Sequence, residues 1–172
     1  MVVSRNRLEK IAMLLSLALA VGAFWFMFGR NLSGVSSYTA GTSLPEADAT
    51  TAEIKAGMSV EQSFRCGVDA LEGLSLVFTK QSEAAGDLKI EVLQGTEILM
   101  EGSFAAADIP DQHRTTLWAK ETLSGMKGKK LKLRISAAGD TGLALMMKSG
   151  TASFRSAGRT LKGTICFALI GE

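Results

Sequence analysis

The sequence is short of the residues that catalytic and metal sites use. Its 172 residues include one histidine, one tyrosine, two tryptophans, two prolines and two cysteines. The single histidine, His113, rules out a metal site of clustered histidines and weakens any Ser-His-Asp arrangement. Asp69 and Glu72 form a carboxylate pair, but a calcium site takes about six to eight oxygens. No phosphate-binding loop, dinucleotide fingerprint or GxSxG turn is present in the sequence. We therefore expect no enzymatic activity, no cofactor and no metal.

Most of the chain also has no large excess of positive or negative charge. Residues 1–30 carry four basic side chains and one acidic side chain, whereas the remainder carries 15 basic and 16 acidic ones. A nearly neutral domain lacks the basic surface of nucleic-acid-binding proteins, so we expect no nucleic acid partner. The basic stretch at 127–134 alternates with Leu131 and Leu133, which predicts the solvated face of a strand. An anionic ligand or a lipid surface is the alternative for this stretch.

The chain does contain one long hydrophobic run, at residues 11–28, without a charged residue. In a helix these 18 residues cover roughly 27 Å, close to the hydrocarbon core of a bilayer. Arg5, Arg7 and Lys10 precede the run, and this basic flank is expected to keep residues 1–10 in the cytoplasm. The run predicts a single-pass membrane anchor with the rest of the chain outside the cytoplasm.

A cleaved signal peptide is the alternative for the same run. Small residues at 18–20 and at 21–23 offer the spacing of a cleavage site. The apolar core of a signal peptide is usually about 7–15 residues long, shorter than this run. The uncleaved anchor is therefore the favoured interpretation.

The remaining sequence divides into a predicted flexible linker at 29–51 and a predicted domain at 52–172. The linker is rich in Ser, Thr, Gly and Ala and shows no periodicity. In the domain, apolar and polar residues alternate in short segments, as in half-buried strands. The predicted strands lie near residues 58–66, 74–79, 88–92, 97–104, 114–120, 131–136, 143–148 and 164–170, with one helical turn at 105–112. Glycine-containing turns separate them, which predicts an all-β fold, an antiparallel β-sandwich.

Four segments of the domain resemble a known family. They are GMSVEQSFRCGVDALEGLSLVF, GDLKIEVLQGTEIL, KGKKLKLRISAAGDTGLALMM and LKGTICFALIG, and they cover roughly residues 56–171. They resemble the jelly-roll, galactose-binding-like β-sandwich modules of bacterial membrane proteins associated with cell-surface polysaccharide or glycosyltransferases. The resemblance implies a membrane-tethered binding or scaffolding module that serves a cell-envelope glycan or a membrane glycosyltransferase or export partner. A structural subunit of a larger membrane complex, with no ligand of its own, is the alternative.

The same resemblance bears on the two cysteines, Cys66 and Cys166. The first and last strands of such a module often pair antiparallel, and cross-strand neighbours point to one face. Cys66 shares the expected inward face with Phe64, whereas inward-facing Ile165 and Phe167 turn Cys166 to the other face. We therefore expect the two thiols to be unbonded.

Residues suited to a binding surface are few. We expect a ligand site to combine Trp118, His113 and Arg114 with Lys148, because these supply stacking and hydrogen-bonding groups. Trp118 is out of phase with Leu117, so it lies either in the core or on a binding surface. The strand at 114–120 and the loop before it are expected near one end of the sandwich, where ligands of such folds bind.

Overall fold

The computed structural model describes residues 38–172. The predicted cytoplasmic segment at 1–10, the anchor at 11–28, its signal-peptide alternative and the first part of the linker lie outside the described residues. The described residues belong to one compact unit, Ser36–Glu172. Within residues 38–172, no helix is long and apolar enough to cross a membrane.

Residues 38–172 fold into strands joined by turns, with one turn of 3-10 helix at Ala106–Asp108 and no α-helix. The strands in chain order are β1 (Thr39–Ala40), β2 (Ala49–Thr50), β3 (Ser59–Cys66), β4 (Leu71–Lys80), β5 (Asp87–Gln94), β6 (Glu97–Ala105), β7 (Arg114–Leu123), β8 (Lys130–Ala137), β9 (Leu143–Ser156), β10 (Arg159–Ile165) and β11 (Phe167–Gly171). The all-β class predicted from the alternating pattern is confirmed. The helical turn predicted at 105–112 is present in shortened form.

The strands form one curled sheet that is sandwich-like in cross-section. Its order is β11-β4-β9-β3-β8-β5-β6, with β7 paired to β4, β2 and β10 paired to β9, and β1 paired to β3. All of these pairs are antiparallel except β1 with β3. Strands distant in this order meet across the core: a Cβ on Gly102 of β6 would lie 2.7 Å from Leu117 Cδ1 of β7. The concave side of the curled sheet therefore holds the hydrophobic core.

Strand β3 shows how the sequence pattern builds that core. Val60, Gln62, Phe64 and Cys66 are buried, and the residues between them are more exposed. The Phe64 ring meets the Phe167 ring of β11 edge to face, with centroids 4.9 Å apart. Such aromatic contacts stabilise a core beyond the area that they bury.

A buried glutamine joins β3 to β10. The side-chain oxygen of Gln62 accepts a hydrogen bond from the backbone N–H of Ile165 at 2.7 Å. Ile165 follows an irregularity in the β9–β10 pairing between Lys162 and Thr164. Buried backbone donors need a partner. Gln62 therefore satisfies a donor at this break in the pairing.

The structure places residues 38–51 in the β-domain, where the sequence analysis predicted a flexible linker. The Gly41 carbonyl accepts from the Leu169 N–H at 2.9 Å, and Ala40 is fully buried. Thr51 is also buried, and its hydroxyl accepts from the Leu145 N–H at 3.0 Å. β1 and β2 contain two residues each, too few for alternation to be visible in the sequence. The domain therefore begins earlier than residue 52.

Both cysteines are buried and free, as expected, but not because the first and last strands pair. β3 pairs with β1, β8 and β9, whereas β11 pairs with β4. Cys166 lies where the chain passes from β10 to β11, and its N–H donates to the Met146 carbonyl of β9 at 2.9 Å. The chain thus changes partner at Cys166, from β9 to β4. Burial raises the pKa of both thiols, and that of Cys166 to about 11.

Candidate functional site

Trp118 lies on the outside of the sheet rather than in the core. It is 60% exposed, the largest exposed fraction among the large hydrophobic residues of the described chain. Its partner in β4 is Gly73, which in turn pairs with Ile170 of β11. A Cβ on Gly73 would lie 3.0 Å from Trp118 Cε3 and 3.4 Å from Ile170 Cδ1. The missing side chain at position 73 thus lets the indole lie against the strand.

The residues around Trp118 follow from the pairing of three strands. We call the outward surface of β7, β4 and β11 the Trp118 face. Its rows of paired residues are Trp118–Gly73–Ile170, Thr116–Ser75–Ala168 and Arg114–Val77. The hydroxyls of Thr116 and Ser75 are 3.0 Å apart and hydrogen-bonded. Ser75, Val77 and Ala168 in these rows are buried, so the Trp118 face presents the exposed indole, the Arg114 guanidinium and the half-buried Thr116.

Arg114 and His113 lie at the start of β7. Arg114 is exposed on the same face as Trp118, four residues away, which is roughly 13 Å along a strand. His113 precedes the strand, is exposed, and its Nδ1 lies 2.7 Å from the Asp111 carbonyl oxygen. Because a carbonyl only accepts, Nδ1 carries the proton in this contact. The loop is held further by the Asp111 carboxylate, which accepts from the Lys80 N–H at 2.8 Å.

Lys148 lies on a different strand from the other predicted site residues. It is exposed on β9 and pairs with Thr164 of β10. Met147 beside it belongs to the core, so Lys148 points outward. The structure therefore brings Arg114 and Trp118 onto one strand face and puts His113 in the adjoining loop. Lys148 reaches the outer surface from another strand.

A second group of charged residues was not foreseen from the sequence. Glu91 of β5 is buried, and its carboxylate accepts from Arg134 Nε at 2.7 Å and pairs with Lys89 Nζ at 3.0 Å. The hydrogen bond from Arg134 is the main reason why the pKa of Glu91 is lowered. Lys89 also pairs with Glu101 at 3.1 Å, and Lys132 with Glu61 at 3.8 Å.

These pairs join β3, β5, β6 and β8 across the sheet. Lys132 and Arg134 thus form a polar strand face, as the alternation at 127–134 predicts. Their acidic partners depend on the cross-strand register, which the sequence alone does not give.

No group of three or more His, Cys, Asp or Glu side chains suited to a metal ion occurs within residues 38–172. Asp69 precedes β4 and Glu72 lies within it. No model of a known protein family matches the chain, and no curated protein matches it. The chemistry of the site is therefore set by the Trp118 face: one aromatic platform, one guanidinium and the half-buried Thr116 hydroxyl.

Proposed function

We propose that this chain is a membrane-anchored, extracytoplasmic, non-enzymatic module that binds cell-envelope glycan through the Trp118 face. The hydrophobic run at 11–28 and its basic flank support the anchor and its orientation. The resemblance to jelly-roll, galactose-binding-like modules agrees with the curled antiparallel sheet. The single observation that carries the binding role is the 60% exposure of Trp118 above Gly73.

An exposed indole suits saccharides for a physical reason. One face of many sugar rings presents C–H groups, and an aromatic ring covers that face while the hydroxyls stay at the rim. Arg114 is exposed and carries five N–H donors, and the half-buried Thr116 hydroxyl lies between it and Trp118. These groups suit the hydroxyls of sugar units that follow the stacked ring along β7. Stacking and hydrogen bonding need no nucleophile or base, so binding is the function assigned.

The test is glycan binding by the full-length protein in detergent, measured on an array of bacterial envelope glycans. Trp118→Ala should lose most of the binding, whereas Trp118→Phe should keep part of it because a smaller ring still stacks. Ile98→Ala is the matched control, since Ile98 is 43% exposed but lies on β6. All three variants should keep the β-type circular dichroism spectrum. Glycan binding that survives Trp118→Ala in a folded protein would refute the proposal.

A structural role within a larger membrane complex is the second candidate. The observation in its favour is the same apolar surface, since Ile170 is half-buried beside exposed Trp118. Exposed apolar patches often mark protein interfaces. Co-purification of the full-length protein in mild detergent separates the two roles. A partner that is lost with Trp118→Ala, together with no glycan binding by the parent protein, would favour the complex.

A further inference from the structure

The hairpin formed by β9 and β10 carries basic residues and no acidic ones. Residues 141–171 contain Lys148, Arg155, Arg159 and Lys162 and not a single Asp or Glu. All four bases are exposed. We call residues 148–164 the β9–β10 arm. This is a locally cationic surface on a domain whose other charged side chains, 11 basic and 16 acidic within residues 38–172, are mostly acidic.

Pairing in the hairpin decides which bases share a face. Phe154 is buried and pairs with Leu161, so these two residues point toward the core side. Their neighbours Arg155 and Thr160 pair with each other and point outward, and Lys162 lies two residues further on the same face.

Lys148 also points outward. The irregular pairing between Lys162 and Thr164 shifts the alternation of β9, so Met147 points into the core and its neighbour Lys148 points away from it. Three of the four basic side chains, Lys148, Arg155 and Lys162, therefore lie on the outward face of the arm.

Neighbouring carboxylates offset only part of the positive charge of this face. Glu61 of β3 pairs in register with Arg155, but its carboxylate lies 3.8 Å from Lys132 Nζ. Asp48 lies near Lys148, and its carboxylate accepts from the Ser149 N–H at 2.7 Å, which holds it at the backbone. The outward face thus keeps an excess of positive charge.

The arm and the Trp118 face are parts of one strand path. Residues 160, 162, 164, 166, 168 and 170 alternate on the side of β10 and β11 opposite to Ile165, Phe167 and Leu169, which are in the core. On that side Thr160 and Lys162 are exposed and Ile170 is half-buried, whereas Thr164, Cys166 and Ala168 are buried. Ile170 adjoins Gly73, on which Trp118 lies. From position 170 to Lys162 is roughly 26 Å along the strand. The Trp118 face and the arm are therefore two separate exposed regions, and a single ligand reaches both only if it is long enough to span this distance.

We infer that the arm binds the acidic groups of the same glycan, so that the ligand is an anionic polysaccharide bearing carboxylate or phosphate substituents. This inference rests on the proposed function. Lysine and arginine side chains bind such groups through charge-assisted hydrogen bonds. The exposed Thr160, two residues before Lys162, adds a hydroxyl that suits sugar oxygens.

A bilayer surface is the less suitable occupant of this face. Binding at a lipid interface normally adds insertion of apolar side chains to charge attraction. The exposed apolar residue of the arm, Leu161, points to the opposite face from Arg155 and Lys162. The outward face offers bases and hydroxyls, which fits a hydrated polyanion.

The test compares two ligands that differ only in charge: an oligogalacturonate and its fully methyl-esterified form. The full-length protein in a neutral detergent is titrated with each ligand at low and at high salt. The parent protein should bind the acid more tightly than the ester, and salt should remove the difference. The triple variant Lys148→Gln, Arg155→Gln, Lys162→Gln should lose about tenfold or more in affinity for the acid, because three charge contacts are removed. Its affinity for the ester should not change.

The matched control neutralises three basic residues elsewhere, Lys127→Gln and Lys129→Gln in the turn before β8 and Lys130→Gln at the first residue of β8. It should bind both ligands as the parent does. Equal binding of acid and ester, or an arm variant that behaves as the control, overturns the inference but leaves the glycan function standing if Trp118→Ala still abolishes binding. Binding of neutral array glycans but of neither oligogalacturonate overturns it as well.

Failure of every glycan refutes the proposed function and this inference together. Arm-dependent binding to phosphatidylglycerol-containing vesicles, with no preference for the acid over the ester, would assign the arm to lipid instead.

Discussion

The substitution Gly73→Ala directly tests whether the indole of Trp118 packs against the backbone of β4 at position 73. In Gly73→Ala the new Cβ would meet the Leu117 carbonyl oxygen at 2.9 Å and Trp118 Cε3 at 3.0 Å. The carbonyl belongs to the neighbouring strand and cannot rotate away. The indole is exposed and can lift, but then it leaves the surface on which it lies. The substitution should therefore strain the β4–β7 pairing and displace the platform.

The size of the effect follows from two opposing contributions. Overfilling a tight site destabilises a protein by about 1–3 kcal/mol. Replacing glycine by alanine offsets about 0.5–1 kcal/mol of this, because the unfolded chain loses conformational freedom. A net loss of about 1–2 kcal/mol in the free energy of unfolding is expected, or roughly 4–7 °C in the melting temperature of a domain of this size. Thermal unfolding followed by circular dichroism measures it.

Gly150→Ala is the control for Gly73→Ala. Gly150 also lies in a strand, and a Cβ there would meet nothing within 4 Å, so its stability should change by less than about 0.5 kcal/mol. Combining Gly73→Ala with Trp118→Ala removes the ring contact but keeps the one to the Leu117 carbonyl, so part of the loss should persist. If Gly73→Ala and Gly150→Ala are equally mild, the close contact at position 73 does not exist and the platform is seated differently.

Three further predictions concern the rest of the domain. Replacing Glu91 by Gln should destabilise the protein by about 1–3 kcal/mol near neutral pH, because Glu91 loses charge-assisted hydrogen bonds while Arg134 and Lys89 stay partly exposed to solvent. Because the folded-state pKa of Glu91 is lowered, the stabilisation is present above the unfolded-state pKa and is lost as pH falls through the lowered value. The gap between parent and variant in urea unfolding should therefore close below about pH 4, and a constant gap would contradict the ion pair. Thiol reagents at pH 8 should leave Cys66 and Cys166 unlabelled in native protein and label both after denaturation without reductant; a protected pair would mean a disulfide. A fragment 38–172 should be soluble and melt cooperatively, whereas 52–172 should be less stable or aggregate, and equal melting curves would show that the first two strands contribute nothing.

The alternating pattern predicts most strands but not the arm. Residues 131–136, expected as a strand, lie inside β8, where one side is buried and the other is polar. Residues 149–163, in contrast, were not expected to be strand, although most of them belong to β9 and β10. Between Lys148 and Gly163 only Phe154 is buried, so these strands have no apolar stripe for a periodicity argument to detect.

The site was only partly predictable for a related reason. The sequence singles out Trp118 as the aromatic residue suited to binding, but its alternation with Leu117 leaves both faces open. What decides its exposure is the register that sets it against Gly73, a residue 45 positions earlier in the chain. Likewise, the burial of Glu91 in an ion pair can be recognised only when Arg134 is known to lie opposite it on β8. Which residues face each other across strands depends on the tertiary structure, and it cannot be read from a single sequence.

The change of partner at Cys166 also has a consequence for how the protein is made. β11 lies between β4 and the Gly41 segment, so the last strand of the described chain touches the first. Most of the core therefore cannot close until both termini of the domain are available. Contacts between such distant residues make folding slow, and an emerging chain exposes the unpaired edge of β4 meanwhile. Folding of this domain should accordingly be completed only after β11, the last strand described, has been synthesised.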